Sequence, residues 1–183
     1  EVVTLGADRY DLGLSAQSVN VRAPDASRAP AVISTRAHEP LYNVGEIIDA
    51  YGKTAQRHPG TRLVIAHRGS QSEQLQRRAS GMPGRVEFVG FLDRARFRDA
   101  LAAAEVFVSV PDSDATSVAL LQAMAAGCFP IVSDLPSQRE LIDDGVNGFH
   151  VPPHRPDVLA DRIAQALRDH ELRARAAAIN RRI

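Results

Sequence analysis

Asp114, Gln122 and Gly127 frame the stretch of this chain best suited to chemistry. Asp114 lies in a polar, turn-prone loop, Pro111 to Ser117, which runs into an almost wholly apolar segment, Val118 to Ala126. A loop that opens a buried helix gathers free backbone N–H groups and the positive end of the helix dipole at one spot. That is an anion site, and phosphate is its usual occupant. Gln122 sits about one turn into the segment, where an amide must find partners or bear a desolvation cost. With a ligand at the helix mouth, Gln122 would reach hydroxyls near a phosphate. In the plainer account Asp114 caps the helix and Gln122 bonds neighbouring backbone, and spacing alone slightly favours that account.

Other residues suit the same chemistry. Arg36 follows a short apolar run, and a guanidinium at a strand end suits phosphate oxygens, although a surface ion pair is the commoner fate of an arginine. Arg68 and Gly69 follow the next run, where the arginine reads as a surface side chain and the glycine as a turn. Gly90 and Phe91 follow a third run. A glycine there permits close approach of backbone to a planar base, and equally permits any tight turn. The six histidines show no ligand spacing, so no metal site is expected. No glycine-rich dinucleotide fingerprint, Walker motif or nucleophile elbow is present. Cys128, the one cysteine, follows a helix-ending glycine and reads as a small core residue.

These residues need elements to hold them. Strands are predicted at Ala31–Thr35, Arg62–Ala66, Val86–Val89, Val106–Val110, Phe129–Ser133 and Gly148–Val151. Helices are predicted at Val44–Arg57, Gln71–Ala79, Asp93–Ala103 with Asp93 as N-cap, Val118–Ala126 closed by Gly127, and from Pro156. Ser137 and Glu140 have the spacing of a capping box for another helix, ended by Gly145. Glu171 to Ile183 reads as a further, alanine- and arginine-rich helix. Ahead of these, Glu1–Leu14 reads as a strand and turn, Ser15–Arg22 as a short strand and Ala23–Pro30 as a loop. Short apolar strands alternating with longer helices indicate α/β architecture: a single Rossmann-like domain whose parallel sheet has helices on both faces. In such a sheet ligands bind outside the carboxyl ends of the strands, and every candidate above lies in or beside a loop at such an end.

Composition narrows the class. Basic and acidic residues balance at 22 each among 183, which argues against a nucleic-acid or membrane-surface module as the main role. A lone cysteine supports no disulfide framework and points to a reducing compartment. No apolar run approaches the length of a transmembrane helix. Glu1 stands in the middle of an apolar phrase, so the chain reads as an excised piece of a longer protein.

From Pro111 to Pro152 the chain strongly resembles the C-terminal domain of retaining glycosyltransferases of family 4, the group 1 transferases of the GT-B fold. The family shows two glutamates separated by seven residues, then A-M-A-x-G-x-P-V-V, a short loop, a glutamate and G-x-x-G. Here stand Asp114, Gln122, Ala123, Met124, Ala125, Gly127, Pro130, Ile131 and Val132, then Glu140, Gly145 and Gly148. ISTRAHEPLYNVGEIIDAY, VEFVGFLD and VVTLGADRYDLG are similar to the family's arginine loop, base-facing strand and post-hinge segment.

The resemblance implies that 1–30 belongs to the post-hinge part of the domain, that 31–170 is the nucleotide-sugar-binding body and that 171–183 is a truncated C-terminal helix. It implies a UDP- or GDP-sugar as co-substrate, with no separate cofactor, and an N-terminal acceptor domain in the same parent chain. Carried over, Arg36 contacts the donor diphosphate and Asp114 faces the transferred sugar, as the catalytic pair. Gly90 and Phe91 lie beside the base, the amides of Ala115, Thr116, Ser117 and Val118 hold phosphate and sugar oxygens, and Gln122 bonds the ribose. The parent would be cytoplasmic, open to peripheral association with the inner face of a membrane, and the isolated domain inactive. Three departures stand out: Asp114 and Gln122 replace glutamates, and Tyr42 replaces a lysine. They imply either a subfamily with its own donor geometry or a decayed, non-catalytic binding module; a GT-B epimerase fits the segment less well.

Overall fold

The structure, a computed structural model, describes residues 29–115 and 117–183. The expected strands over Glu1–Leu14 and Ser15–Arg22, and most of the loop after them, lie outside the described residues. The six strands β1 (Ala31–Ser34), β2 (Arg62–Ala66), β3 (Arg85–Gly90), β4 (Val106–Ser109), β5 (Phe129–Ser133) and β6 (Phe149–Val151) form one parallel sheet in the order β3-β2-β1-β4-β5-β6. Each strand is short because its apolar run is short. Four of the six are buried along nearly their whole length, as a sheet covered on both faces requires.

Side-chain alternation splits the core into two. Val32, Leu63, Ile65, Val106, Val108 and Ile131 face α1 (Val44–Arg57) and α6 (Pro156–Arg168), with Leu75 of α2 (Ser72–Ser80) and Leu172 and Ala176 of α7 (His170–Asn180) in the same cluster. Ile33, Val64, Phe107 and Val132 face Leu101 of α3 (Arg94–Ala102) and Leu120, Ala123 and Met124 of α4 (Val118–Ala126). α1 shows why helices form here: Val44, Ile47, Ile48, Tyr51 and Ala55 recur at helical spacing and all are buried. Thr54 Oγ1, also buried, bonds the Ala50 carbonyl at 3.0 Å and the Ala160 carbonyl at 3.2 Å, which holds α1 close to α6.

α4 is bounded by its caps. Ser117 Oγ accepts from the Leu120 N–H, and Gly127 closes the helix in the left-handed region with φ 89°. Asp93 caps α3 as expected, accepting from Arg96 N at 2.9 Å. The capping box does not form. α5 is one turn, Pro136–Arg139, with Leu135 as N-cap and Pro136 at its first position. The Ser137 hydroxyl reaches instead to the Asp114 carbonyl, and Gly145, with φ 78°, sits in the turn that leads to β6.

The strand order places the functional crevice. The chain leaves β1 for α1 on one face and leaves the adjacent β4 for α4 on the other. The loops after these two strands diverge, and between them lies the gap where doubly wound sheets bind ligands.

Candidate functional site

Arg36 stands two residues beyond β1 and crosses the gap. Its Nη1 donates to Ser117 Oγ at 2.9 Å, and its Nη2 lies 3.0 Å from Asp114 Oδ2. Its guanidinium carbon lies 4.2 Å above the Tyr42 ring. The side chains of Arg36 and Asp114 are 11% and 17% exposed, so the pair is largely out of water. The two charges meet without an aligned hydrogen bond: Asp114 Oδ2 and Arg36 Nε are buried with hydrogen-bonding capacity unused. An ion pair so sheltered gives back in attraction much of what desolvation costs, so exchange of Asp114 for another anion is not steeply uphill.

The loops on either side of the gap are stitched together. Tyr42 belongs to a single 3-10 turn, Pro40–Tyr42, ended by Asn43 in the left-handed region with φ 51°. Asn43 Nδ2 donates to the Val110 carbonyl at 3.1 Å and to Asp112 Oδ1 at 2.5 Å, and Asp112 N donates to the Leu41 carbonyl at 3.0 Å. From the loop after β6, His154 adds a clasp, with Nδ1 2.6 Å from Glu46 Oε1 and Nε2 3.3 Å from Asp112 Oδ1. With a carboxylate at each ring nitrogen, the imidazolium is favoured and the His154 pKa is raised.

The mouth of α4 has amides to spare. Ser117 takes the Leu120 N–H with its hydroxyl and the Leu121 N–H with its carbonyl, at 3.2 Å for the latter. Val118 and Ala119 have no carbonyl one turn back within the helix. Val118 is 58% exposed at the opening. Gln122, one turn further along the same side, is half-buried and has no hydrogen-bond partner among the described residues. Both halves of the plainer account therefore fail: Ser117 rather than Asp114 caps the helix, and Gln122 bonds no described backbone. Nor is Arg36 a surface ion pair.

A second cluster lies at the ends of β2 and β3. His67 takes φ 77°, unusual for a side chain of its size, and donates its N–H to the Gly90 carbonyl at 2.6 Å. Its ring meets Phe91 edge-on at 5.5 Å, and Phe91 is 70% exposed. Gly90 has φ 68°, and a Cβ there would come within 3.3 Å of Arg68 Nε and Nη2, so the guanidinium of Arg68 lies over the glycine. Gly69 is required by close approach: a Cβ would come within 2.5 Å of the His38 carbonyl. Behind this turn His38 is buried, with Nε2 3.2 Å from the Ala66 carbonyl, and burial lowers its pKa.

The structure thus brings Arg36, Asp114 and Ser117 together, with Ala115 exposed beside them and Val118 and Gln122 along the adjoining helix. Thr116 lies outside the described residues. Gly90 and Phe91 stand two strands away, about 10 Å by ordinary strand spacing. Sequence reasoning missed Ser137 and Gln138 behind the loop, the bond between Arg36 and Ser117, and the His154 clasp. The nearest signal was Ser137 itself, a hydroxyl in the loop after a buried strand. Elsewhere, a cleft of about 530 Å³ beside β6 is lined by Asp134, Arg139, Asp144, His150 and Arg162, but its arginines are already paired with Asp134 and Asp144. Among the described residues no three of His, Cys, Asp and Glu gather closely enough to hold a metal ion, and no helix is long and apolar enough to cross a membrane.

Residues 22–182 match the profile of the family described as glycosyl transferases, group 1. Phosphatidyl-myo-inositol mannosyltransferase of Mycobacterium tuberculosis is 33% identical over 134 residues, 72% of this chain and 35% of that protein. Its counterpart in Mycobacterium leprae is 29% identical over 184 residues, 96% of this chain and 48% of that protein. The chain therefore spans between about a third and a half of the length of these relatives. Among solved structures, the C-terminal domain of the group 1 glycosyl transferase LpcC of Francisella tularensis superposes with TM-score 0.77 at 20% identity, over 85% of this chain and 84% of that one. HepE of Anabaena in complex with UDP-glucose superposes with TM-score 0.76 at 22% identity, over 86% of this chain and 44% of that one.

Proposed function

The chain belongs to the group 1 glycosyl transferases, and on that premise we propose that it is the nucleotide-sugar-binding half of a retaining hexosyltransferase. The observation that carries this reading is the meeting of Arg36, Ser117 and Asp114 at the mouth of α4, in the crevice between β1 and β4. A donor diphosphate seats against the Arg36 guanidinium and the amides of Ala115 to Val118, displacing Asp114 from Arg36. Asp114 is then free to face the transferred sugar. The base lies toward Gly90 and Phe91, and the ribose hydroxyls satisfy the unpartnered amide of Gln122. The departing nucleoside diphosphate carries the negative charge that develops as the glycosidic bond to the donor breaks. A guanidinium and fixed amides already aimed at it stabilise the transition state as well as the bound donor.

The donor is a UDP- or GDP-sugar and needs no further cofactor. The acceptor is a glycan, a lipid or a small molecule; the relatives named for mannosyl transfer to phosphatidyl-myo-inositol favour a lipid or glycan. The acceptor-binding half belongs to the same parent chain, which is cytoplasmic or peripheral to a membrane.

UDP, GDP and ADP, added separately to the chain, test the reading by thermal shift and by amide chemical shifts. Binding at millimolar concentration or tighter by UDP or GDP, with shifts at Ala115, Ser117 and Val118, is expected; no response to any of the three overturns it. Arg36→Ala is expected to weaken binding by about 1–3 kcal/mol, the range for hydrogen bonds to charged groups.

Three observations favour a second reading, a non-catalytic binding module. Asp114 already neutralises Arg36, Gln122 carries no charge, and Tyr42 stands where the family's lysine would be. Turnover of a donor by the full-length parent, lost on Gln122→Ala, excludes it.

A further inference from the structure

Behind the mouth loop, on its β5 side, stands a turn that the chemistry above does not use. Ser137 Oγ donates to the Asp114 carbonyl at 2.7 Å. Gln138, only 3% exposed, directs Nε2 at the Ala115 carbonyl at 3.5 Å, while its Oε1 is buried without a partner. At the end of β5, which leads into this turn, Ser133 Oγ donates to the Pro111 carbonyl at 2.6 Å. Three carbonyls of the loop are thus drawn to the same side. Pro136 already occupies the first position of α5, and Leu135 is its N-cap, so the Ser137 hydroxyl is not engaged in capping.

The direction of these bonds has a consequence for the amides. There are no cis peptide bonds among the described residues, and in a planar trans peptide the N–H points opposite to the C=O. The Asp114 carbonyl faces α5, on the β5 side of β4. The Ala115 N–H therefore faces away from α5, toward the β1 side where Arg36 stands. Ala115 is exposed, and no acceptor for its N–H is found among the described residues.

We infer that Ser137 is a positioning residue of the donor site: its hydroxyl sets the plane of the Asp114–Ala115 peptide so that the Ala115 N–H can donate a hydrogen bond to an anion beside Arg36. Gln138 braces the next carbonyl of the loop. Without the Ser137 hydroxyl, this peptide is free to rotate about its flanking bonds and turn its carbonyl, a repulsive group, toward the phosphate. The inference rests on the donor-site reading and adds to it the residue that aims one of its amides.

The test is an amide-resolved titration of the ¹⁵N-labelled chain with UDP and, separately, with GDP. In the wild type the Ala115 amide proton is expected to move downfield as a phosphate oxygen accepts from it. Ser137→Ala is expected to weaken the dissociation constant about tenfold, the scale of one hydrogen bond to an ion, and to abolish the Ala115 response while Val118 still responds. Ser137→Thr, which keeps the hydroxyl, should restore both. Thermal unfolding of each variant separates a lost peptide orientation from a lost fold. If Ser137→Ala does not fold, Ser137→Cys, similar in size and a weak donor, takes its place. An Ala115 response unchanged in Ser137→Ala overturns the inference and leaves the donor site standing. Equal loss at Ala115 and Val118 reduces Ser137 to a general support of the loop and also overturns it. A wild type that responds to neither nucleotide removes the donor site, and the inference with it.

Discussion

Arg36 does three things with one side chain: it bonds Ser117, pairs with Asp114 and stacks on Tyr42. A lysine at this position would present a point charge on a flexible stem and could not fill the three roles together. Arg36→Lys is therefore expected to recover less than half of the binding energy lost in Arg36→Ala, measured by calorimetric titration with UDP or GDP. Cys128 shows the opposite character. It is 1% exposed, its Sγ lies 3.1 Å from the Leu101 carbonyl, and burial pushes its pKa up to about 12. Since the thiolate is the reactive form, the native chain should resist a thiol reagent near pH 8, with labelling following unfolding in denaturant. The core role of Cys128 was legible from its place between a helix-ending glycine and a buried strand. The partnership of Arg36 with Ser117, 81 residues apart, was not, because spacing along a chain says nothing about which strands become neighbours.

Among the elements, those bounded by local chemistry were read most closely. α1, α4 and β5 run over the residues their patterns predicted, since helical periodicity, a serine cap, a left-handed glycine and a continuous apolar run are each properties of a few neighbouring residues. α5 was misread for the converse reason. Its serine and glutamate have capping-box spacing, but Pro136 at the first helical position sets the helix start two residues earlier and the hydroxyl has a tertiary partner 23 residues away. The clasp from the loop after β6 was equally invisible, since His154 bonds Glu46 across 108 residues. Its pH dependence follows from the raised pKa, caused first by the hydrogen bond to Glu46 and then by the charges of Glu46 and Asp112. The clasp contributes fully below the ordinary histidine range and is lost as pH rises through the elevated folded-state value. His154→Ala should therefore lower the thermal midpoint at pH 5.5 to 6 and leave it nearly unchanged near pH 9. His38, buried and with its pKa lowered, acts in the other direction and weakens the fold as pH falls, so the comparison is made variant against wild type at each pH.

At the scale of the molecule, the fold class followed from alternation alone, and the ends of the parallel strands marked where ligand-facing residues would lie. What alternation could not supply was the strand order. With β1 and β4 adjacent at the centre, two loops far apart in sequence become the two lips of one crevice. The chain covers only part of the length of its relatives, and on the proposed reading transfer needs an acceptor held on the facing side of that crevice. The isolated chain is thus expected to bind a nucleotide sugar without consuming it, while the parent protein consumes it when supplied with acceptor; nucleoside diphosphate release measures both. The order of the strands also sets a schedule during synthesis. Arg36 leaves the ribosome well before Asp114, Ser117 and finally Ser137, and at about 5–20 residues per second the gap from Arg36 to Ser137 lasts on the order of 5–20 s. Until Asp114 and Ser117 have followed, the arginine has neither its carboxylate nor its serine partner. On the proposed reading, a nucleotide cannot serve as a template for the first half of the domain, because the residues that would hold it are together only after five of the six strands have been made.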